Sequence, residues 1–274
     1  MTSTRLSRDT RASRGASPWR AIAIVLLTIS TFVPFVILVV QSTGESWRWP
    51  SLMPDALTLV AWRSVAGGAI GRAAFTSTLL ALATAITAVC IALPIGRSLA
   101  QLRGASRHVA AALVFLPVAA PPIALGAGLQ IATLWLGVGG TAAGVWLAHS
   151  VPAIGYVALL FLGVFSSRGA DHSEAARSHG ATRWQTWRFV LLPSLRGPIV
   201  EALAIAFLIS WAQVALTLVV GGGAVRALPI EVLSLVRAGQ DREAAVGALL
   251  LIVPAVAALA ALRAGVRRTD ALPG

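Results

Sequence analysis

Residues 108–167 read HVAAALVFLPVAAPPIALGAGLQIATLWLGVGGTAAGVWLAHSVPAIGYVALLFLGVFSS, 60 residues without one Asp, Glu, Lys or Arg. A helix needs about 20 apolar residues to cross a bilayer. This stretch therefore fits two crossings and an uncharged turn, and the cluster Gly137, Gly139 and Gly140 supplies the turn. Outward from it, the uncharged stretches 21–44, 73–96 and 202–225 have 24 residues each, and 244–262 has 19. Each fits one crossing. The expectation is an all-α integral membrane protein with six transmembrane helices, at about 21–41, 73–96, 108–129, 141–165, 198–220 and 244–263. Membrane strands are a poor alternative, because the runs are long and lack period-two alternation. Pro34, Pro94, Pro117, Pro121, Pro122, Pro152 and Pro254 fall inside these runs. Membrane helices tolerate proline when neighbours satisfy the freed carbonyls.

Composition agrees. Of 274 residues, 57% are hydrophobic and 12% charged. Soluble domains carry about 25% charged residues, so an ordinary soluble enzyme and a disordered chain are both excluded. The net charge is +12, and all 22 basic residues are arginine. A nucleic-acid partner would need them clustered on a soluble face, of which there is little. The one cysteine, Cys90, excludes a disulfide framework and a thiolate metal site.

The arginines set orientation. With the N-terminus inside, 16 of the 22 fall on inner segments and six outside: Arg48, Arg63, Arg72, Arg226, Arg237 and Arg242. The positive-inside rule then predicts both termini in the cytoplasm. Residues 1–20 and 264–274 are cytoplasmic tails, and 21–263 form the membrane domain. The first apolar run is too long for a signal peptide and no A-x-A-like site follows it, so an uncleaved first helix is expected. Trp47, Trp49 and Trp62, in the outer segment 43–72, suit interfacial anchoring better than ligand contact. The proline- and glycine-rich span 117–128 suits close helix packing or the lining of a cavity. Residues 228–238 have the length of a three-turn helix beginning at a proline, either on the outer surface or dipping into the bilayer.

The one sizeable cytoplasmic loop is 166–197. Asp171 and Glu174 are spaced as a capping-box-like helix start. Gly180 is placed to end that helix in the left-handed conformation. Thr182 and Gln185 form a second capping box, opening a short helix that Pro193 is expected to stop. Trp184, Trp187 and Leu191 then lie at i, i+3 and i+7 on one apolar face. Such a face suits docking into a partner's groove. It equally suits lying on the inner leaflet, with Arg183 and Arg188 on phospholipid.

No HExxH, GxSxG or GxxxxGK[ST] pattern occurs. A chain without lysine cannot be a Walker-type ATPase. His108, His149, His172 and His179 lack metal-ligand spacing, so structural or docking roles are expected. Ser210, Gln213 and Thr217 lie at i, i+3 and i+7 near mid-membrane. They serve either interhelical hydrogen bonding or the lining of a translocation pathway.

The loop carries a resemblance. Glu174-Ala175-Ala176, three residues, Gly180, nine residues, then Val190-x-Leu192-Pro193 resembles the EAA loop of binding-protein-dependent ABC importer permeases. Only Val190, for isoleucine, departs from that pattern. The phrases TSTLLALA at 76–83, LPVAAPP at 116–122 and RALPIEVL at 226–233 are also similar to this family. The resemblance implies the type I importer permease fold in a bacterial inner membrane. It implies a second permease, identical or different, two ABC ATPase subunits and a soluble substrate-binding protein as partners. Glu174, Ala175, Ala176, Gly180, Trp184, Trp187, Leu192 and Pro193 would couple the chain to the ATPase. ATP and Mg would bind that partner, and this chain would bind no cofactor and catalyse no reaction. The flanking phrases lean towards polyamine, ferric iron, thiamine or sulfate-like substrates. The alternative class is a stand-alone channel or secondary carrier; an intramembrane hydrolase would need a nucleophile–base pair that the sequence does not suggest.

Overall fold

The computed structural model describes residues 18–45, 47, 51, 53–167, 178 and 180–270. Helix α1 (Pro18–Thr43) opens on a proline, whose fixed φ suits a first helical turn. Its apolar side chains are exposed almost throughout, and it packs along α10 (Asp241–Asp270) at the edge of the molecule. In a bilayer that exposed surface meets lipid. Two two-residue strands follow, β1 (Gly44–Glu45) and β2 (Ala56–Leu57), paired antiparallel with Gly44 opposite Leu57. This small ribbon was not expected from sequence. Trp47 donates Nε1–H to the Ser51 carbonyl at 2.9 Å, and Trp62 packs on the core beneath.

The centre is α2 (Ala69–Gln101), which runs against both α5 (Ala142–Ser167) and α7 (Arg196–Trp211). Lipid tails are as apolar as leucine, so association here depends on close van der Waals packing between small residues. Ala85, Ala88 and Ala92 of α2 accordingly meet Ala153, Val157, Ala158 and Phe161 of α5 and Ala202 and Ala206 of α7. At Gly96 the helices approach so closely that an added Cβ would stand 2.5 Å from Phe161 Cβ and 2.9 Å from the Ala158 carbonyl oxygen. A second cluster joins Ile70, Ala73, Trp211, Leu228, Leu235 and Val246.

The expected helix 108–129 is not continuous. It is two helices, α3 (Gly104–Ala119) and α4 (Pro122–Trp135), bent by 96°. Ala120 stands before Pro121 in extended conformation (ψ 139°), because a following proline disfavours the helical region. Pro122 then opens α4. Pro34, Pro94, Pro117, Pro152 and Pro254 stay inside continuous helices, as expected. The glycine turn to α5 holds, with Gly137 and Gly140 at φ +72° and +71°.

The expected helix 198–220 is also broken, into α7 and α8 (Ala215–Gly221). Residues 228–238 form the short helix α9 (Leu228–Arg237), packed on α2 and α10. The N–H of Leu228, otherwise an orphan of the helix start, donates to Ser77 Oγ of α2 at 2.7 Å. Among the described residues, α1, α2 and α5 are each long and apolar enough to cross a membrane. The bent pairs α3–α4 and α6–α7 qualify if each is one span, α6 being Arg183–Ser194.

Candidate functional site

Two places bring the sequence-predicted residues together: the loop 166–197 and the break between α7 and α8.

In the loop, Glu174, Ala175 and Ala176 lie outside the described residues, as do Asp171, His172 and His179. Gly180 is described. Its φ of +84° is the left-handed conformation expected at a helix end, and an L side chain there would be strained. Thr182 and Gln185 form the full capping box. Thr182 N–H donates to Gln185 Oε1 at 2.8 Å, and Gln185 N–H to Thr182 Oγ1 at 3.2 Å.

Beyond the box the structure departs from expectation. Residues Thr186–Leu191 form a π-helical turn, and helical backbone continues through Leu192–Ser194. Pro193 therefore does not stop the helix. The wider turn ahead of it relieves the contact between the proline ring and the preceding turn. The chain bends instead at Leu195, where α6 and α7 meet at 67°. The π-turn also shifts the helical phase, so Trp184 and Trp187 do not share one face. Trp184 is 66% exposed. Trp187 is half-buried against the α2–α5–α7 core, with the Arg97 guanidinium 5.7 Å from its ring centroid. Leu192 and Pro193 are exposed, and Phe189 joins them on the surface. Phe189 was not singled out from sequence; it stands at i+5 from Trp184, a spacing that only a π-turn makes meaningful.

At the second place, a buried histidine joins three helices. His149 of α5, 1% exposed, bonds Ser210 Oγ of α7 through Nδ1 at 2.8 Å. It bonds Thr217 Oγ1 of α8 through Nε2 at 2.9 Å. The Thr217 hydroxyl donates to the Gln213 carbonyl oxygen at 2.6 Å. His149 thus ties the two halves of the broken helix to α5. Trp211 adds a bond from Nε1–H to the Leu251 carbonyl of α10, 3.0 Å, and stacks on Phe207 at 5.7 Å. Ser210 and Thr217 are both buried in hydrogen bonds. Gln213 is part-exposed, and its side-chain amide has no hydrogen-bond partner among the described residues. Of the three, it alone keeps free polar atoms.

The His149–Ser210 contact is a serine–histidine pair that the sequence did not suggest. The pair lacks what acyl transfer requires: the second ring nitrogen faces a threonine rather than a carboxylate, and both side chains are shut away from a substrate. Among the described residues no group of three or more His, Cys, Asp or Glu could hold a metal ion.

Comparison with known proteins places this geometry. Residues 92–269 match the family model for the inner membrane component of binding-protein-dependent transport systems. The chain is 31% identical over 221 residues to the molybdenum transport system permease protein ModB of Mycobacterium tuberculosis, covering 75% of this chain and 83% of that one. It is 24% identical over 239 residues to the spermidine/putrescine transport system permease protein PotC of Haemophilus influenzae, covering 82% and 88%. The fold matches a chain in the crystal structure of a bacterial ABC transporter that imports the acidic polysaccharide alginate. There the TM-score is 0.70, with 14% identity over 90% of this chain and 94% of that one.

Proposed function

The chain belongs to the family of binding-protein-dependent transport system inner membrane components and is a multi-pass permease subunit of an ABC importer; from that premise we propose how it works. It crosses the membrane six times with both termini in the cytoplasm, and pairs with a second permease, identical or different, around the translocation pathway. A soluble binding protein delivers a small solute to the outer face. Two ATPase subunits supply the ATP-driven motion, one of them docked on the loop 166–197.

The observation that supports ATPase docking is the exposed apolar surface of α6. Trp184, Phe189 and Leu192 are exposed among Arg183, Arg188 and Arg196, close in sequence to Gly180 with its left-handed backbone. Apolar side chains in a basic rim suit a helix seated in a partner's groove. Trp187, packed on Arg97 and the core, ties that surface to α2 and α7. A push on α6 would then move the helices beside the pathway. Such switching requires that ATPase contacts differ between the two states.

Co-purification tests this reading. With a partner ATPase co-expressed, the wild-type chain is expected to retain it, and Glu174→Lys to release it and abolish uptake. An ATPase that stays bound with uptake intact in Glu174→Lys would overturn the coupling role. Its relatives' names point to molybdenum and to spermidine/putrescine as the kinds of solute such permeases carry.

A further inference from the structure

One cleft outside the two places described above has an electrostatic character that none of the roles assigned so far uses. It has a volume of about 530 Å³ and is lined by Ala69, Arg72 and Thr76 of α2, Ala142 of α5, and Arg226 and Glu231 at the start of α9. The first turns of three helices thus meet at one opening. Each helix start carries roughly half a positive elementary charge. Neither α2 nor α5 has an acidic residue in its first turn to answer it, and the α2 N-cap, Gly68, has no side chain to offer.

Arg72 sharpens the point. A cation in the first turns of a helix is placed against the dipole. Its guanidinium folds back to donate one bond, to the Gly67 carbonyl at 3.0 Å, and four of its five N–H groups make no other bond among the described residues. Arg226 has a side chain 71% exposed, and its one ion pair among the described residues is a long 3.5 Å contact to Glu231. The Glu231 side chain is only 6% exposed. The acid of the cleft is therefore buried, while Arg72 and Arg226, which line it, are both exposed.

We propose that this cleft receives a small tetrahedral oxyanion, of the molybdate or sulfate kind, on its way into the translocation pathway. The guanidinium forks of Arg72 and Arg226 match such oxygens in pairs, as they would not match a polyamine. At ~30 Å³ per water, the cleft also takes several waters with the ion, which makes it a reception site of modest affinity rather than a tight one. This inference rests on the importer reading, in the orientation that puts the starts of α2, α5 and α9 outside.

The test uses the assembled transporter in nanodiscs, without its binding protein, and radiolabelled molybdate and sulfate as probes. Saturable binding is expected, displaced by unlabelled oxyanion and not by spermidine. Arg72→Ala and Arg226→Ala should each weaken it by about tenfold or more, and Glu231→Gln should tighten it. Arg72→Lys keeps the charge and loses the fork, so it should weaken binding less, and it replaces Arg72→Ala if that variant does not assemble. Absence of saturable binding, displacement by spermidine, or equal affinity in the arginine variants overturns the proposal. The amount of ATPase in the same samples separates the two readings. Transporter that holds its ATPase and ignores oxyanions refutes the cleft assignment alone; a chain that never holds an ATPase refutes the importer assembly.

Discussion

His149 Nε2 lies 2.9 Å from Thr217 Oγ1, and the direction of that bond can be deduced. Thr217 has one hydroxyl hydrogen and gives it to the Gln213 carbonyl oxygen at 2.6 Å. It must therefore accept from His149, which carries its hydrogen on Nε2 and accepts from Ser210 on Nδ1. The bonds form one relay from α7 through α5 to α8, across the break at residues 212–214.

Replacing His149 by Leu removes both bonds and takes the acceptor from the buried Ser210 hydroxyl, while Thr217 keeps its bond to the Gln213 carbonyl. A loss of about 1–3 kcal/mol is expected in unfolding from detergent, since single interhelical bonds in membranes are individually modest. Ser210→Ala should lose less, because one of the two bonds to the ring survives. A His149→Leu chain as stable as wild type would mean the relay does not hold the break together.

Gly96 should be intolerant of any side chain. The built Cβ meets Phe161 Cβ at 2.5 Å and backbone at 2.9 Å, so α2 and α5 would have to separate. Gly96→Val is expected to destabilise by about 2–3 kcal/mol and to lower the yield of folded protein. Gly163, with open space around it, accepts Ala without such a penalty and serves as the control. Thermal unfolding of the two variants side by side provides the check.

The two loop tryptophans should behave differently. Trp187→Ala gives up the Arg97 contact and packing on the core, for about 1–3 kcal/mol of stability. Trp184→Ala removes an exposed side chain, so stability should hold while ATPase retention falls. Unfolding and pull-down measurements on both proteins separate these effects; equal behaviour in the two assays would contradict the split face.

Gly180 sits at φ +84° with nothing within 4 Å of a built Cβ, so conformation rather than space restricts it. Gly180→Val is expected to cost about 1–2 kcal/mol locally and to reduce ATP-driven uptake. Asn tolerates the left-handed region better, so Gly180→Asn should retain more uptake than Gly180→Val. Transport assays in vesicles would show whether the two variants rank this way.

Ser77→Ala takes away the hydroxyl that accepts from the Leu228 N–H. No side chain caps α9 at Ala227, so about 1 kcal/mol is expected to be lost. Hydrogen exchange should rise at the start of α9 and remain unchanged in α5.

Much of this molecule was legible from its sequence because lipid imposes a rule along the chain. Charges must leave the bilayer, so the uncharged stretches mark the membrane helices whatever their neighbours do. Local chemistry was legible for the same reason. Thr182 and Gln185 are three residues apart, and Gly180 needs only its own backbone to end a helix, so both features formed as expected. The turn at Gly137 and Gly140 belongs with them.

What failed to show depends on contacts between distant residues. Pro121–Pro122 was visible, yet so were five prolines that leave their helices continuous. The break between α7 and α8 falls on Ala212-Gln213-Val214, which contains neither proline nor glycine, and its stabilising partner His149 is 61 residues away from Ser210. The π-turn at 186–191 turned Trp187 inward and left Trp184 out, undoing a face that i, i+3, i+7 spacing had made continuous. The sequence alone determined that this is a bilayer chain and which stretches of it are helical, because solvation and local capping act residue by residue. Only the tertiary structure decided where those helices break, which hydroxyls the buried histidine holds and how three helix starts come to share one cleft, because each of these is fixed by groups that packing brings together from far along the chain.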